Sequence, residues 1–213
     1  MKMIVSLTCI MILFCSALAD NQAGAKGSAS DPRMTKEERA RAIKMLMDSQ
    51  KEFMDAVEHI SDAQWNYRPS PFKWSVGLVA EHIALTQDRL FAVLQMSLKQ
   101  PPNPDWESKT AGKEEVLQRV LPNRMGRAQA PVEVRPSGKL TRDEVINRFK
   151  QSRARILEFA EKTDLPLKAH TFDNPFPIFN TLNAYDWLLY ISLHTIRHDK
   201  QIAEVKASPG YPK

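Results

Sequence analysis

Two of the chain's five histidines, His194 and His198, lie four residues apart in Tyr190-Ile-Ser-Leu-His-Thr-Ile-Arg-His-Asp-Lys-Gln-Ile202. At 3.6 residues per turn such a pair is only about 40° apart around a helix axis, so both imidazoles reach one point in space. A third, His82, stands far upstream in the apolar stretch Leu78-Val-Ala-Glu-His-Ile-Ala-Leu-Thr86. Neutral imidazole is a common ligand of zinc, and three histidines with one open position form the ligand set of catalytic zinc. Nickel and other late divalent ions accept the same donors. An ion held this way acidifies a water or a substrate thiol and stabilises developing negative charge, which serves hydrolysis and thiol transfer equally. The same cage without turnover is a binding module for a metal or small ligand. Three histidines that are merely packed are the structural alternative.

Position along the apolar stripes argues against mere packing. His82 is flanked by Leu78, Val79, Leu85 and Thr86; His194 and His198 are bracketed by Trp187, Tyr190, Ile191, Ile202 and Val205. Three imidazoles on two core-facing stripes are costly to bury unless they hydrogen-bond or share a cation.

Four helices can position them. Thr35-Lys-Glu-Glu38 has capping-box spacing and starts a helix through Ile43, Leu46, Phe53, Val57 and Ile60, until Asn66-Tyr-Arg-Pro-Ser-Pro71 breaks it. A second helix, capped by Ser75, runs to about Lys99 before Pro101-Pro102. Thr141-Arg-Asp-Glu144 is another capping box, for a helix to about Thr163. The last begins between Thr181 and Asn183 and ends before Pro209-Gly210. Apolar stripes on four long helices predict an all-α four-helix bundle. Two connections are long, residues 100–140 with at most a short helix near Lys113 to Leu121, and residues 164–180. The first is long enough to carry the chain the full height of a bundle, and both are candidates for covering one end of it and shaping a pocket.

Met1 to Ala19 reads as a basic start, an apolar run too short to span a bilayer, and a small-residue cleavage site, hence a signal peptide for export to the periplasm or outside, with no stable membrane anchor after cleavage. Phe14 before Cys15 speaks against a bacterial lipoprotein. Both cysteines fall inside this segment, which excludes disulfides and thiolate ligands from the mature chain. A small, polar, disordered leader is expected over residues 20–34, the bundle over 35–207 and a tail over 208–213. The formal net charge of +5 is interspersed with acids, which excludes a nucleic-acid tract. No Gly-rich phosphate loop or serine–histidine–acid arrangement is present, which disfavours ATP, NAD and covalent serine catalysis. A small-molecule substrate or ligand is the expected partner, for a monomer or a homodimer.

Trp74-Ser75 followed by Glu81-His82-Ile83, together with His194-x-x-x-His198-x-x-Gln201-Ile202, resembles the DinB-like (DinB/YfiT) superfamily of metal-binding four-helix bundles over about Thr35 to Val205. The resemblance implies an up-down-down-up topology and a divalent metal on His82, His194 and His198. It is nearly silent on substrate, since members range from thiol transferases and a thiol-dependent isomerase to proteins of unknown activity.

Around that core, Gln201 shares a face with His198 and is placed to hydrogen-bond a ligand, while Tyr190, one turn before His194, either lines the pocket or packs. Glu81 and Asp199 adjoin ligands in sequence but point about 100° away, which leaves them an outer role orienting an imidazole. Trp65 and Trp74 read as packing residues. Asn174, Phe176 and Phe179 are loop candidates for pocket walls, and His59 and His170 are left out of the site.

Overall fold

Each long helix starts where a short polar side chain can satisfy its first amides. The computed structural model describes residues 30–125 and 129–213, so the expected signal peptide and most of the leader lie outside the described residues. In chain order the helices are α1 (Lys36–Val57), α2 (Asp62–Asn66), α3 (Val76–Leu98), α4 (Trp106–Thr110), α5 (Lys113–Val120), α6 (Arg142–Lys162) and α7 (Ala184–Lys206), with antiparallel strands β1 (Thr171–Asp173) and β2 (Thr181–Asn183) between the last two. Thr35 with Glu38 and Thr141 with Glu144 form the expected reciprocal boxes, and the Ser75 hydroxyl accepts from the Leu78 amide at 3.2 Å. Helix α7 has a reciprocal box as well, Asn183 with Asp186, not among the expected ones.

The four long helices form a ring in which α1 touches α6 and α7, and α3 touches α6 and α7, while α1 and α3 face each other diagonally. Side-chain bonds give the directions. Arg39 donates to the Ala160 carbonyl and Lys150 pairs with Glu58, so α1 and α6 are antiparallel. Tyr185 donates to the Glu38 carbonyl and Lys206 to that of Ala56, so α1 and α7 are parallel. Phe149 lies at the level of Gln87, and Phe159 at that of Phe91, so α3 and α6 are parallel. This is the up-down-down-up arrangement. Because α6 restarts at the end where α3 began, the connection between them must climb a helix of 21 residues, about 31 Å. It does so along the α3–α7 seam, with α5 on α7 and a 3-10 turn at Val132–Val134 on α3. It therefore covers a side of the bundle and not an end, as had been expected.

Two apolar clusters fill the interior. One gathers Leu46, Leu90, Leu94, Ile156, Leu188 and Ile191, and the other Phe53, Val76, Val79, Ile83, Phe149 and Ile202. Between them every long helix turns a polar residue inward: Ser49, Gln87, Arg153 and Thr195, all at most 2% exposed. Arg153, fully buried, ties the layer together. It donates to Gln87 Oε1 (2.7 Å), the Leu46 carbonyl (2.6 Å), Ser49 Oγ (2.8 Å) and Thr195 Oγ1 (3.1 Å), with its guanidinium 5.1 Å from the Phe149 ring centre. Burial pulls its pKa down to about 9, opposed by the Asp199 carboxylate, so it stays charged at neutral pH.

Several boundaries differ from expectation. The first helix does not run on to Asn66; it ends at Val57 and restarts as α2 because Ser61 caps a new turn with Gln64. The 100–140 connection holds α4 as well as α5, and the 164–180 connection is a 3-10 turn followed by a β-hairpin, so Thr181–Asn183 is strand and not helix. The leader's end is also fixed: Met34 joins the core, and the Pro32 carbonyl accepts from the Lys168 amide at 2.8 Å. Among the described residues no helix is long and apolar enough to cross a membrane.

Candidate metal centre

His82 comes from the second turn of α3, and His194 and His198 from the middle of α7. One nitrogen of each ring lies within 4.8 Å of one from each of the others. Ring centres are 4.4 Å apart for His194–His198, 4.6 Å for His82–His198 and 5.2 Å for His82–His194. Donors bonded to one zinc at about 2.1 Å sit roughly 3–4 Å from each other, a spacing that small side-chain rotations reach from here.

The outer hydrogen bonds decide which nitrogens are free. His82 Nδ1 is 2.7 Å from the Val134 carbonyl oxygen, which can only accept. Nδ1 therefore carries the proton and Nε2 a bare lone pair. His198 Nδ1 is 2.8 Å from Gln201 Oε1. The orientation of that amide is fixed independently, because Arg124 Nη1, a donor only, approaches the same oxygen at 3.1 Å. His198 is thus also an Nδ1–H tautomer. Arg124 is in turn clamped by both oxygens of Glu204, at 3.1 and 3.0 Å.

Electrostatics favour the ligand form of all three rings. Burial pushes the His82 pKa below the usual histidine value, against the opposing pull of the Val134 carbonyl. Burial, reinforced by the neighbouring histidines and Arg197, drives His194 well below it. His198 is lowered to about 3, again chiefly by burial. Each ring is therefore neutral at physiological pH, as a metal ligand must be. His194 is only partly buried, which makes it the member of the group nearest solvent.

Aromatic rings stand on either side. Trp74, expected only to pack, has its ring 5.1 Å from that of His82. Tyr190 lies nearly parallel to His194 at 6.4 Å and stacks on Trp187 at 5.5 Å. Its hydroxyl is tied to Asn174, and burial raises its pKa to about 12, so it stays protonated. Phe179 packs on Tyr190 from the loop side, one layer back from the imidazoles. Trp65 packs against Gly77 at the start of α3. Among the described residues Glu81 and Asp199 make no hydrogen bond to the histidines: Glu81 accepts from Ser137 and Gly138 in the connection ahead of α6, and Asp199 lies near Arg153. His170 bonds the Gln100 carbonyl, away from the site.

Over residues 45–202 the chain matches the family model described as the DinB superfamily. The chain belongs to the DinB superfamily. A curated relative, the uncharacterized protein YuaE of Bacillus subtilis strain 168, is 24% identical over 166 residues, spanning 77% of this chain and 96% of YuaE. Among solved structures, this DinB-superfamily chain resembles YfiT from Bacillus subtilis, described as a probable metal-dependent hydrolase with an unusual four-helix bundle topology. The TM-score is 0.56 at 16% identity, with 88% of this chain and 94% of YfiT covered. At that identity the likeness establishes the fold.

Residue types alone do not reveal all of the candidate site and the polar layer near it. Gln201 was legible from its spacing to His198. The Val134 carbonyl was not, because a main-chain acceptor leaves no mark in the sequence. Arg124 was hidden for another reason: only the folded crossover brings it to α7. Arg153 did leave a signal, an arginine on the apolar stripe of Phe149, Ile156 and Ala160.

Proposed function

We propose that this chain binds one divalent ion, zinc before nickel or another late transition metal, through His82, His194 and His198, and uses it as a metal-dependent hydrolase of a small molecule. The observation that carries this reading is the convergence of three neutral imidazoles within 4.8 Å, two of them with Nδ1 already held by fixed acceptors. A borderline divalent ion is the species such a donor set suits. When bound it supplies Lewis acidity, lowering the pKa of a water or thiol and stabilising negative charge on a substrate oxygen. The protein's own part is to hold the ligand rings in one tautomer through Val134 and Gln201, to keep them uncharged by burial, and to wall the centre with Trp74 and Tyr190. In this reading the small molecule approaches from the side of His194, the one of the three histidines that keeps more accessible surface. Export through Met1 to Ala19 is part of the proposal, and N-terminal sequencing of the protein recovered from an envelope fraction tests it.

Elemental analysis after mild dialysis tests the metal. The expected result is about one equivalent in the wild type and less than about a tenth in His194→Ala. A screen of ester, amide and thiol-transfer substrates then separates hydrolase from thiol transferase. A folded, metal-loaded protein that consumes none of them is a binding module instead.

A further inference from the structure

The strap that crosses α3 after the 3-10 turn is fastened at two points, and consecutive residues of α3 do the fastening. His82 Nδ1 donates to the Val134 carbonyl at 2.7 Å. The carboxylate of Glu81, 3% exposed, accepts three bonds: Ser137 N to Oε1 at 2.9 Å, Ser137 Oγ to Oε1 at 2.8 Å and Gly138 N to Oε2 at 2.8 Å. Among the described residues Glu81 has no cationic partner within ion-pair distance. A buried carboxylate without a counter-charge is tolerated only when donors surround it, and here all three neighbours are donors. A neutral amide in its place would aim its own NH2 at one of them. Gly138 completes the fit: its φ is +69°, and a Cβ there would come within 3.3 Å of Leu78 Cδ2.

Glu81 and His82 point about 100° apart on the helix, so the carboxylate cannot orient the imidazole directly. Both grip the same short segment, four residues apart at most. We propose that Glu81 is a positioning residue for the metal centre. By seating Val134 to Gly138 on α3 it holds the Val134 carbonyl against His82 Nδ1, and so fixes the tautomer and ring direction that present Nε2 to the ion. Partners outside the ligands typically change metal affinity by about 10–100-fold when lost. The effect on affinity rests on the metal-binding reading above, whereas the effect on the tautomer does not.

Glu81→Gln tests this with two readouts. Long-range proton–nitrogen NMR of the metal-free full-length protein reports the His82 tautomer. The wild type shows a single Nδ1–H form in slow exchange with water, and Glu81→Gln shows a mixture or fast exchange. Competition against a chromophoric chelator, with Co(II) and then Zn(II) as the probe, gives affinity about tenfold weaker or worse in Glu81→Gln. Phe159→Leu, which loosens the Phe91–Phe159 contact in the apolar cluster that does not contain Val79, Ile83 or Ile202, keeps wild-type affinity and separates positioning from general destabilisation. Affinity within about twofold of wild type in folded Glu81→Gln, or an unchanged His82 signal, overturns the proposal. Should Glu81→Gln not fold, Ser137→Ala removes one of the three bonds, and wild-type affinity together with an unchanged His82 signal in that variant overturns it as well. If the wild type itself binds neither ion, the metal reading fails and the tautomer measurement alone decides the role of Glu81.

Discussion

Arg153→Met is the most informative single change to the bundle. Methionine follows the arginine stem through the same space but ends without a donor. Four bonds from one charged group disappear, to Gln87, Leu46, Ser49 and Thr195. The acceptors are not hurt equally. Ser49 still donates to the Leu46 carbonyl and Thr195 to that of Ile191, so each hydroxyl remains bonded. Gln87 keeps its bond to the Phe149 carbonyl but strands Oε1 in the interior. A stranded buried acceptor costs about 1–3 kcal/mol, and removing one member of a buried charged network costs about 3–5 kcal/mol in total, partly offset by no longer burying a guanidinium. We expect a loss of about 3 kcal/mol, which for a domain of this size lowers Tm by roughly 6–12 °C. Urea unfolding followed by tryptophan fluorescence measures it, with an unchanged m-value as the sign that only stability moved. Adding Gln87→Leu removes the stranded acceptor and should recover at least about 1 kcal/mol. A loss below about 1 kcal/mol in the single variant, or simple additivity in the double, would refute the view that this polar layer is a coupled network.

Other expectations follow from the same structure. Zinc at a hundredfold excess over its dissociation constant stabilises by about 2.7 kcal/mol, so thermal scans should show Tm rising by roughly 5–10 °C in the wild type and by less than about 1 °C in His198→Ala. Asp186, buried at the α7 cap, has its pKa raised to about 7, chiefly by burial. Its protonated form is the one the fold prefers, so its stabilising effect is complete below about pH 3.8 and is lost as pH rises towards 7. In Asp186→Asn the decline in stability between pH 5 and 7 should flatten, by at most about 2.7 kcal/mol over that window; unfolding curves at each pH that parallel the wild type would contradict this. Gly77→Ala places a methyl 2.3 Å from Trp65 Nε1, and the displaced ring should shift the fluorescence spectrum and cost about 1–3 kcal/mol, checked by the same unfolding assay.

Much of the architecture could be read directly from the chain because it is written in local signals. Thr35 with Glu38, Thr141 with Glu144 and Ser75 each mark a helix start by what their side chains can bond, and apolar spacing gave the faces. The histidine trio was legible for the same reason: i and i+4 on one helix, plus one on another stripe. What escaped notice depends on tertiary contact. The break between α1 and α2 turns on Ser61 outcompeting a continuous apolar pattern, and the β-hairpin is too short to show an alternating pattern. The path of the crossover could be guessed from its length but not its side of the bundle, and with that side went Val134, Arg124 and the strap.

The ring order has a consequence for how such a site comes into being. Its three histidines are drawn from α3 and α7, so 111 positions separate His82 from the nearer of the other two. Closing a loop of that length carries an entropy penalty that no local turn can repay, and the packing of α7 against both α1 and α3 is what offsets it. Without α7 in place, only one of the three site imidazoles, His82, is present and there is no chelate. The proposed cation cage is therefore assembled only once α7 has docked, so that any chelation reports on tertiary closure and not on either helix by itself.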